Sequence, residues 1–335
     1  MQFFNKANSF IERWMQLIMP LFVIMGFLWG KYLAFLKPVT SWLFAFACFA
    51  SSLTLSMSEV RKAFNVKAII ALIILGHVVI PFAAWAVFRL FEDPSSDFFM
   101  GLILIFAGPC ATTSFIWSGI YGGNKGLSIV FVVIDTVLSI LLTPLIIKIT
   151  CATSVRIDSL GLIWSMTKMV MIPSALGLLI VSRIKKEKLA KATPPIKFIT
   201  KISLLLIIII SLSGSAASVK ENFSFGFIWS FVGVLIVLVF GYLLGFFASR
   251  FLLKSDNRDA VSMSFALGCR NLGLSIILAS SYFPPLAAVP PVITLFFHDI
   301  ITTSAGRVLL AQSKKDQPEA EKGELNAAPC NSEIQ

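Results

Sequence analysis

The sequence contains few charged side chains and very little histidine. Only 13% of its 335 residues are Asp, Glu, Lys or Arg, and only two are histidines, whereas an average soluble domain has roughly 25% charged residues. Apolar residues make up 57% of the chain. This composition excludes an ordinary soluble domain and places the protein in a lipid bilayer.

The long apolar runs also lack the alternation of polar and apolar residues that is typical of a membrane β-barrel. Because lipid offers no hydrogen-bond partners to the backbone, the chain must then cross the bilayer as helices. Its five cysteines show no disulfide framework. The intramembrane-enzyme patterns His-Glu-x-x-His and Gly-x-Ser-x-Gly are missing. We therefore expect an all-α polytopic membrane protein that is not an enzyme.

Basic residues outnumber acidic ones, with a formal net charge of +11. They fall between the apolar runs, where they set membrane topology and do not indicate a nucleic-acid partner. The densest cluster lies at residues 183–201 and is predicted to form a cytoplasmic loop. The distribution predicts that both termini are cytoplasmic, in the plasma membrane (the bacterial inner membrane). No particular oligomeric state is predicted.

A helix needs about 20 apolar residues to cross a hydrocarbon core ~30 Å thick, and the chain divides into ten such spans. Five helices per half would invert the second half relative to the first. We predict two inverted five-helix repeats, residues 1–152 and 153–311, and a disordered cytoplasmic tail, residues 312–335. The ten spans are 15–35, 38–57, 68–88, 98–120, 127–147, 160–181, 198–217, 225–247, 260–282 and 286–310.

Two of these spans are interrupted, each being the fourth of its half. The first interruption is Gly108-Pro109, and the second is the segment Gly268-Cys269-Arg270-Asn271. Glycine and proline also serve close packing between membrane helices, but matching breaks in two repeats favour a paired binding site. Hydrogen-bonding and charged side chains at the breaks are the predicted substrate ligands: Thr112, Thr113, Ser114, Arg270 and Asn271.

Ionisable side chains within spans are costly and need a physical reason. Arg270 lies near the middle of its span, and two hypotheses, which are compatible, explain it: a structural ion pair with Asp135 or Asp299, or direct binding of an anionic substrate. His77 and His298 are either proton carriers or satisfied interior histidines. The two histidines and the two aspartates, together with Ser128, are the predicted ion-coupling or gating residues: His77, Ser128, Asp135, His298 and Asp299.

Four segments resemble the bile acid:sodium symporter family. They are GPCATTSF, LSIVFVVIDTVLSILLTP, FALGCRNLGLSIILA and FFHDIITTSAGRVLLA. The resemblance implies ten helices in inverted repeats, a panel domain, and a core domain in which the discontinuous fourth and ninth helices cross. It also implies secondary transport of an organic anion by alternating access. Segment 109–126 is similar to the arsenite-efflux branch, with Cys110 and Trp117 matching, so an arsenite or antimonite efflux carrier is the alternative. A membrane sensor or intramembrane enzyme is more remote.

The positions that hold sodium in that family are largely replaced. At the first site Ser114 and Ser128 match, whereas Phe115, Val132 and Ala266 stand where the family has Asn, Thr and Glu. At the second site His77 and Arg270 replace two glutamines. We therefore predict that sodium is not coupled in the usual way, that a proton is the alternative coupling ion, and that there is no bound metal or cofactor. The predicted partners are a small organic anion and the lipid bilayer.

Overall fold

The architecture is helical throughout the part of the chain described by a computed structural model, residues 2–55, 63–151, 158–184, 186–213, 215–222 and 225–327. In these ranges the one β-type pairing is an isolated bridge. This agrees with the predicted all-α polytopic membrane protein. Within the described ranges, seven helices are long and apolar enough to cross a membrane: Leu17–Ser52, Val66–Phe88, Lys125–Thr150, Ser159–Arg183, Glu187–Ser211, Phe225–Leu252 and Pro285–Leu309.

Short 3₁₀ or π-helical segments join several consecutive α-helices, at Gly30–Leu36, Leu75–Val79, Thr167–Met171, Ala248–Leu252 and Pro285–Ala288. The α-helices in chain order are α1 (Gln2–Trp29), α2 (Lys37–Ser52), α3 (Val66–Ile74), α4 (Ile80–Phe88), α5 (Asp97–Ala107), α6 (Ser114–Ile120), α7 (Lys125–Thr150), α8 (Ser159–Met166), α9 (Ile172–Arg183), α10 (Lys186–Ser211), α11 (Ser215–Asn222), α12 (Phe225–Phe247), α13 (Asn257–Gly268), α14 (Leu272–Tyr282) and α15 (Val289–Ala327).

Two polar segments are more helical than the sequence analysis expected. The predicted loop at residues 183–201 is wrong, because α10 already begins at Lys186. Its Lys, Glu, Leu and Ala residues are strong helix formers and lengthen the span. Helix α15 continues to Ala327, into the polar tail, whose predicted disorder stays a prediction. The predicted repeat boundary at residues 152 and 153 and the end of the tail lie outside the described residues.

Helix α10 packs against both α1 and α2, and the three helices form one wall of the molecule's interior. A Cβ on Gly30 would lie 3.0 Å from the Ile209 carbonyl oxygen, so glycine permits the close approach of α1 to the end of α10. Near the start of both helices, Asn8 Nδ2 donates to the Pro194 carbonyl at 2.8 Å. The two helices therefore run side by side in the same direction.

Helix α5 lies at the centre of the opposite, larger bundle. All its residues from Phe98 to Ala107 are buried, against α4, α7, α14 and α15. A helix that is apolar on every side is stable only when neighbours cover all of it. Helix α5 ends at Ala107 because Pro109 has no N–H and disfavours helical geometry at Gly108, which is extended.

Helix α13 ends in a comparable way at Gly268. Cys269 is extended, and α14 begins three residues later with Asn271 as its N-cap. The Asn271 Oδ1 atom accepts a hydrogen bond from the Leu274 N–H at 3.1 Å, which satisfies one of the free amides of the new helix. Both predicted interruptions therefore exist, each a short extended stretch between two helices.

Candidate functional site

The two interruptions contact each other directly. Cys110 and Arg270 form an isolated antiparallel bridge. The Ala111 N–H donates to the Cys269 carbonyl at 2.8 Å, and the Asn271 N–H donates to the Pro109 carbonyl at 3.0 Å. These bonds satisfy backbone groups that the broken helices leave free, a strong requirement inside a membrane. The extended stretches therefore hold four helix ends together at one point, which we call the crossing.

A cavity of about 300 Å³, the central cavity, lies between the crossing and the α1–α2–α10 wall. Its outer wall is mostly apolar and includes Met15, Met19, Phe44, Leu204 and Ile207. Its inner wall is polar. Six of the ten predicted site residues line it together: Thr112, Thr113, Arg270, Asn271, His298 and Asp299.

The other four predicted site residues lie away from this cavity. Ser114 is buried just after the break. Ser128 donates to Ser118 Oγ at 2.8 Å, and Ser118 contacts Ser262 at 3.1 Å, in a separate buried group of hydroxyls. His77 and Asp135 form a pair behind the crossing. The Cys110 thiol is also buried and is not part of the cavity wall.

Arg270 is only 2% exposed, and its guanidinium points to the end of α5 within the bundle. Its Nη2 donates to the carbonyls of Phe106 and Gly108 and, more weakly at 3.4 Å, to that of Gly76. None of the ion pairs among the described residues includes Arg270. A fixed positive charge on the free carbonyls of a helix C-terminus is electrostatically favourable. Arg270 therefore caps α5, while part of its side chain borders the cavity.

Two neutral side chains satisfy further carbonyls of the same helix end. Thr143 Oγ1 donates to the Ala107 carbonyl at 2.8 Å, and Ser275 Oγ donates to the Leu104 carbonyl at 2.8 Å. Neither residue was among the site residues predicted from the sequence. Thr143 directly precedes Pro144 and Ser275 lies one turn after Asn271, but a lone hydroxyl in an apolar helix commonly bonds to its own helix. Only the three-dimensional packing shows which carbonyl receives it.

His77 and Asp135 support the crossing from behind. His77 Nε2 lies 2.6 Å from Asp135 Oδ1, and Asp135 Oδ2 accepts the Cys110 N–H at 2.6 Å. His77 sits in the π-helical segment Leu75–Val79, four residues before Pro81, which cannot donate to the His77 carbonyl. A π segment of this kind displaces a side chain from its regular helical direction. Both oxygens of Asp135 are thus used to hold a backbone and a side chain.

A second cavity of about 270 Å³ continues from the central one. The two share Ser51, Thr112, Thr113 and Thr200, and we call the second one the vestibule. The vestibule extends to Lys197 and Lys201 on α10. Lys201 Nζ donates to Glu12 Oε1 at 2.7 Å, so its charge is compensated. A polar path therefore leads from the crossing to the basic end of α10.

Comparison with known proteins identifies the family of this chain. The sequence pattern described as the Sodium Bile acid symporter family matches residues 41–222, more than half of the chain. The chain belongs to this family. It is 31% identical to "Uncharacterized protein YbaS" of Bacillus subtilis, over 88% of this chain and 96% of the relative. The family is one of symporters by its description, so the protein is a membrane transporter.

Two further relatives carry names that mention sodium. "Uncharacterized sodium-dependent transporter YocS" of Bacillus subtilis is 25% identical over 97% of this chain and 100% of the relative. "Probable sodium/metabolite cotransporter BASS1, chloroplastic" of Arabidopsis thaliana is 26% identical over 94% of this chain and 78% of the relative. These names describe those proteins. In this chain, the environment of Arg270 is the structural feature that bears on sodium.

Proposed function

We propose that this family member is a secondary transporter of a small organic anion that works by alternating access without sodium. The main observation in support is that a permanently charged side chain, Arg270, caps the helix end at the crossing. Beside it, Thr112, Thr113 and Asn271 face the central cavity and offer hydrogen-bond donors. Positive charge with hydroxyl and amide donors suits a carboxylate or sulfate. The cavity's apolar outer wall suits the substrate's carbon skeleton.

The proposal includes ten spans in two inverted repeats, with a panel domain and a core domain. Segment Leu17–Ser52 is one continuous helical stretch of 36 residues, too long for a single crossing of a ~30 Å core. Gly30 lies against Ile209, at the end of α10. Ser51, at the end of α2, instead lines the vestibule together with Lys197, which lies in the first half of α10. The segment thus folds back at Gly30–Leu36, which supports counting α1 and α2 as two spans.

The remaining spans follow from the interrupted helices. Helices α5 and α6 together make one span, and α13 and α14 make another, because each pair is joined only by a short extended stretch. Interrupted helices that meet at the middle of the membrane are typical of carriers built from inverted repeats. On this proposal α1, α2, α9 and α10 belong to the panel, and the crossing belongs to the core. The basic end of α10 would then be cytoplasmic, as would both termini.

The proposed independence from sodium rests on charge and ligand chemistry. Sodium, like other hard cations, needs several oxygen ligands that together carry compensating negative charge. Here Arg270 already donates to the free carbonyls of Phe106 and Gly108. Phe115, Val132 and Ala266, which stand at ligand positions of the family's first sodium site, offer no side-chain oxygen. A guanidinium would thus supply permanently the charge that a bound ion supplies transiently.

The test uses the purified full-length protein and three probes: butyrate, benzoate and p-toluenesulfonate. Thermal-shift and calorimetric binding are measured in sodium-free and sodium-containing buffer, followed by counterflow in proteoliposomes for each anion that binds. We expect at least one anion to bind and exchange equally in both buffers. If no probe binds, or binding occurs only with sodium, the proposal is wrong.

Arg270→Gln gives a further test, with Arg258→Gln as its control because Arg258 lies outside the central cavity. We expect Arg270→Gln to lose anion binding and Arg258→Gln to keep it. A folded Arg270→Gln protein that still binds the anion with unchanged affinity would remove the role given to the guanidinium.

A further inference from the structure

Asp299 places a carboxylate on the wall of the cavity that is proposed to hold an anion. It lies within the span Pro285–Leu309, and its side chain is 54% exposed. It also borders a lateral cavity of about 450 Å³ between α1 and α15. The guanidinium of Arg270 bonds to the end of α5 and forms no ion pair with Asp299. An ionised Asp299 would therefore repel the substrate within the same small space.

His298, the neighbour of Asp299, also lines the central cavity. Its Nδ1 lies 3.5 Å from Asp299 Oδ1. Its Nε2 is buried and has no hydrogen-bond partner among the described residues. Buried polar atoms in proteins usually have partners, so an unpartnered imidazole nitrogen beside a cavity indicates that a proton or a ligand oxygen belongs there.

From these observations, and on the basis of the proposed function, we infer that the His298–Asp299 pair binds the proton that is coupled to the substrate anion. The proton is held by the Asp299 carboxylate or by the His298 imidazole. In either case it adds one positive charge to the cavity wall. Anion binding and proton binding then favour each other by the same factor, as linkage requires. Release of the anion on the other side of the membrane weakens proton binding, and both leave.

The other acid–histidine pair does not fit this role. Both oxygens of Asp135 are occupied, by His77 Nε2 and by the Cys110 N–H, and neither residue lines a described cavity. Removing the negative charge from Asp135 would weaken the crossing itself. His77 and Asp135 are therefore positioning residues, and the proton exchanged in each cycle belongs to the pair that faces the cavity.

The remaining ionisable groups near His298 and Asp299 leave the pair's charge uncompensated. Helix α1 faces it with Met15 and Met19. Thr302 Oγ1, which donates to the His298 carbonyl, separates the pair from the neutral hydroxyl of Tyr242. Among the side chains that line the central cavity, Arg270 is the only charged group besides the pair itself. The ionisable groups facing it from neighbouring elements are Cys48, Tyr121, Tyr242, Cys269 and Arg270.

The experiment is calorimetric binding of butyrate, benzoate and p-toluenesulfonate to the purified full-length protein, in buffers of different ionisation enthalpy. The buffer dependence reports how many protons are taken up with each anion. For the wild type we expect uptake of about one proton per anion. Because uptake of one proton changes the affinity about tenfold per pH unit, we also expect the affinity to rise by up to about a hundredfold from about pH 8 to about pH 6. p-Toluenesulfonate stays ionised throughout, so its own protonation cannot contribute.

Asp299→Asn and His298→Gln should each bind the anion with less proton uptake and a weaker pH dependence than the wild type, and the double variant should show neither. Asp93→Asn, which changes an exposed loop carboxylate, should behave like the wild type. In proteoliposomes, Asp299→Asn should lose anion accumulation driven by a pH gradient. Failure of the wild type to bind any probe would overturn the proposed function. Binding without proton uptake, or unchanged uptake in Asp299→Asn, would overturn only the present inference.

Discussion

Replacing Asp135 with Asn should destabilise the crossing more than any other single change of one carboxylate in this molecule. Asp135 accepts two short hydrogen bonds, from His77 and from the Cys110 N–H. Hydrogen bonds to a charged group contribute about 1.5–3 kcal/mol each. Asparagine keeps an acceptor for one of them and loses both the second acceptor and the negative charge that strengthens the first. We expect a net loss of about 3 kcal/mol.

The assay is thermal unfolding of the detergent-solubilised protein, followed by intrinsic fluorescence. At about 2–4 °C per kcal/mol for a chain of this general size, the midpoint should fall by roughly 6–12 °C. Asp299→Asn is the matched control because it removes a membrane-embedded carboxylate that caps nothing and is half exposed; its midpoint should stay near that of the wild type. Equal midpoints for Asp135→Asn and the wild type would refute the positioning role assigned to Asp135.

Two further predictions concern glycine packing and charge. A Cβ on Gly268 would lie 2.4 Å from the Tyr242 ring, whereas on Gly108 its nearest neighbour would be Ser275 Oγ at 3.7 Å. Gly268→Ala should therefore lower the unfolding midpoint, because overpacking costs about 1–3 kcal/mol of stability. Gly108→Ala should leave the midpoint unchanged. A larger fall in the midpoint for Gly108→Ala than for Gly268→Ala would contradict the packing described here. Lys197→Gln, at the vestibule, should weaken anion uptake from that side roughly threefold at low salt and little at high salt. Lys191→Gln, on the same helix outside the vestibule, should change uptake at neither salt concentration, and an equal effect of both variants would exclude steering by Lys197.

The sequence was sufficient to predict the helix interruptions because their causes are local. Proline lacks an N–H and constrains the residue before it, so the end of α5 follows directly from Gly108-Pro109. The start of α10 was predicted too late for a related reason. Hydropathy reports which residues lie in lipid, whereas the Lys, Glu and Ala residues before Phe198 form a helix by intrinsic propensity. A scale based on apolarity cannot separate a polar helix from a polar loop.

It was harder to predict which residues line the central cavity than to predict where the helices are interrupted. Thr112, Thr113 and Asn271 follow the breaks in sequence and line the cavity because their backbone is fixed there. Lys197 and Thr200 line the vestibule only because α10 packs beside α2, and no local pattern marks that contact. The direction of Arg270 was also undetermined, since one guanidinium in a span can reach a carboxylate, a carbonyl or a substrate. Packing of the end of α5 decides among them.

The two acid–histidine pairs show why composition alone does not assign function to intramembrane charges. Both pairs lie within spans and both combine one aspartate with one histidine. His77 and Asp135 are buried away from the cavities, and both oxygens of Asp135 accept hydrogen bonds from the chain itself, so changing the protonation of Asp135 costs fold stability. His298 and Asp299 keep polar atoms free beside a cavity, so their protonation can change during transport at little cost to the fold. On the inference made above, the pair that borders the central cavity supplies the variable charge that couples transport to a gradient.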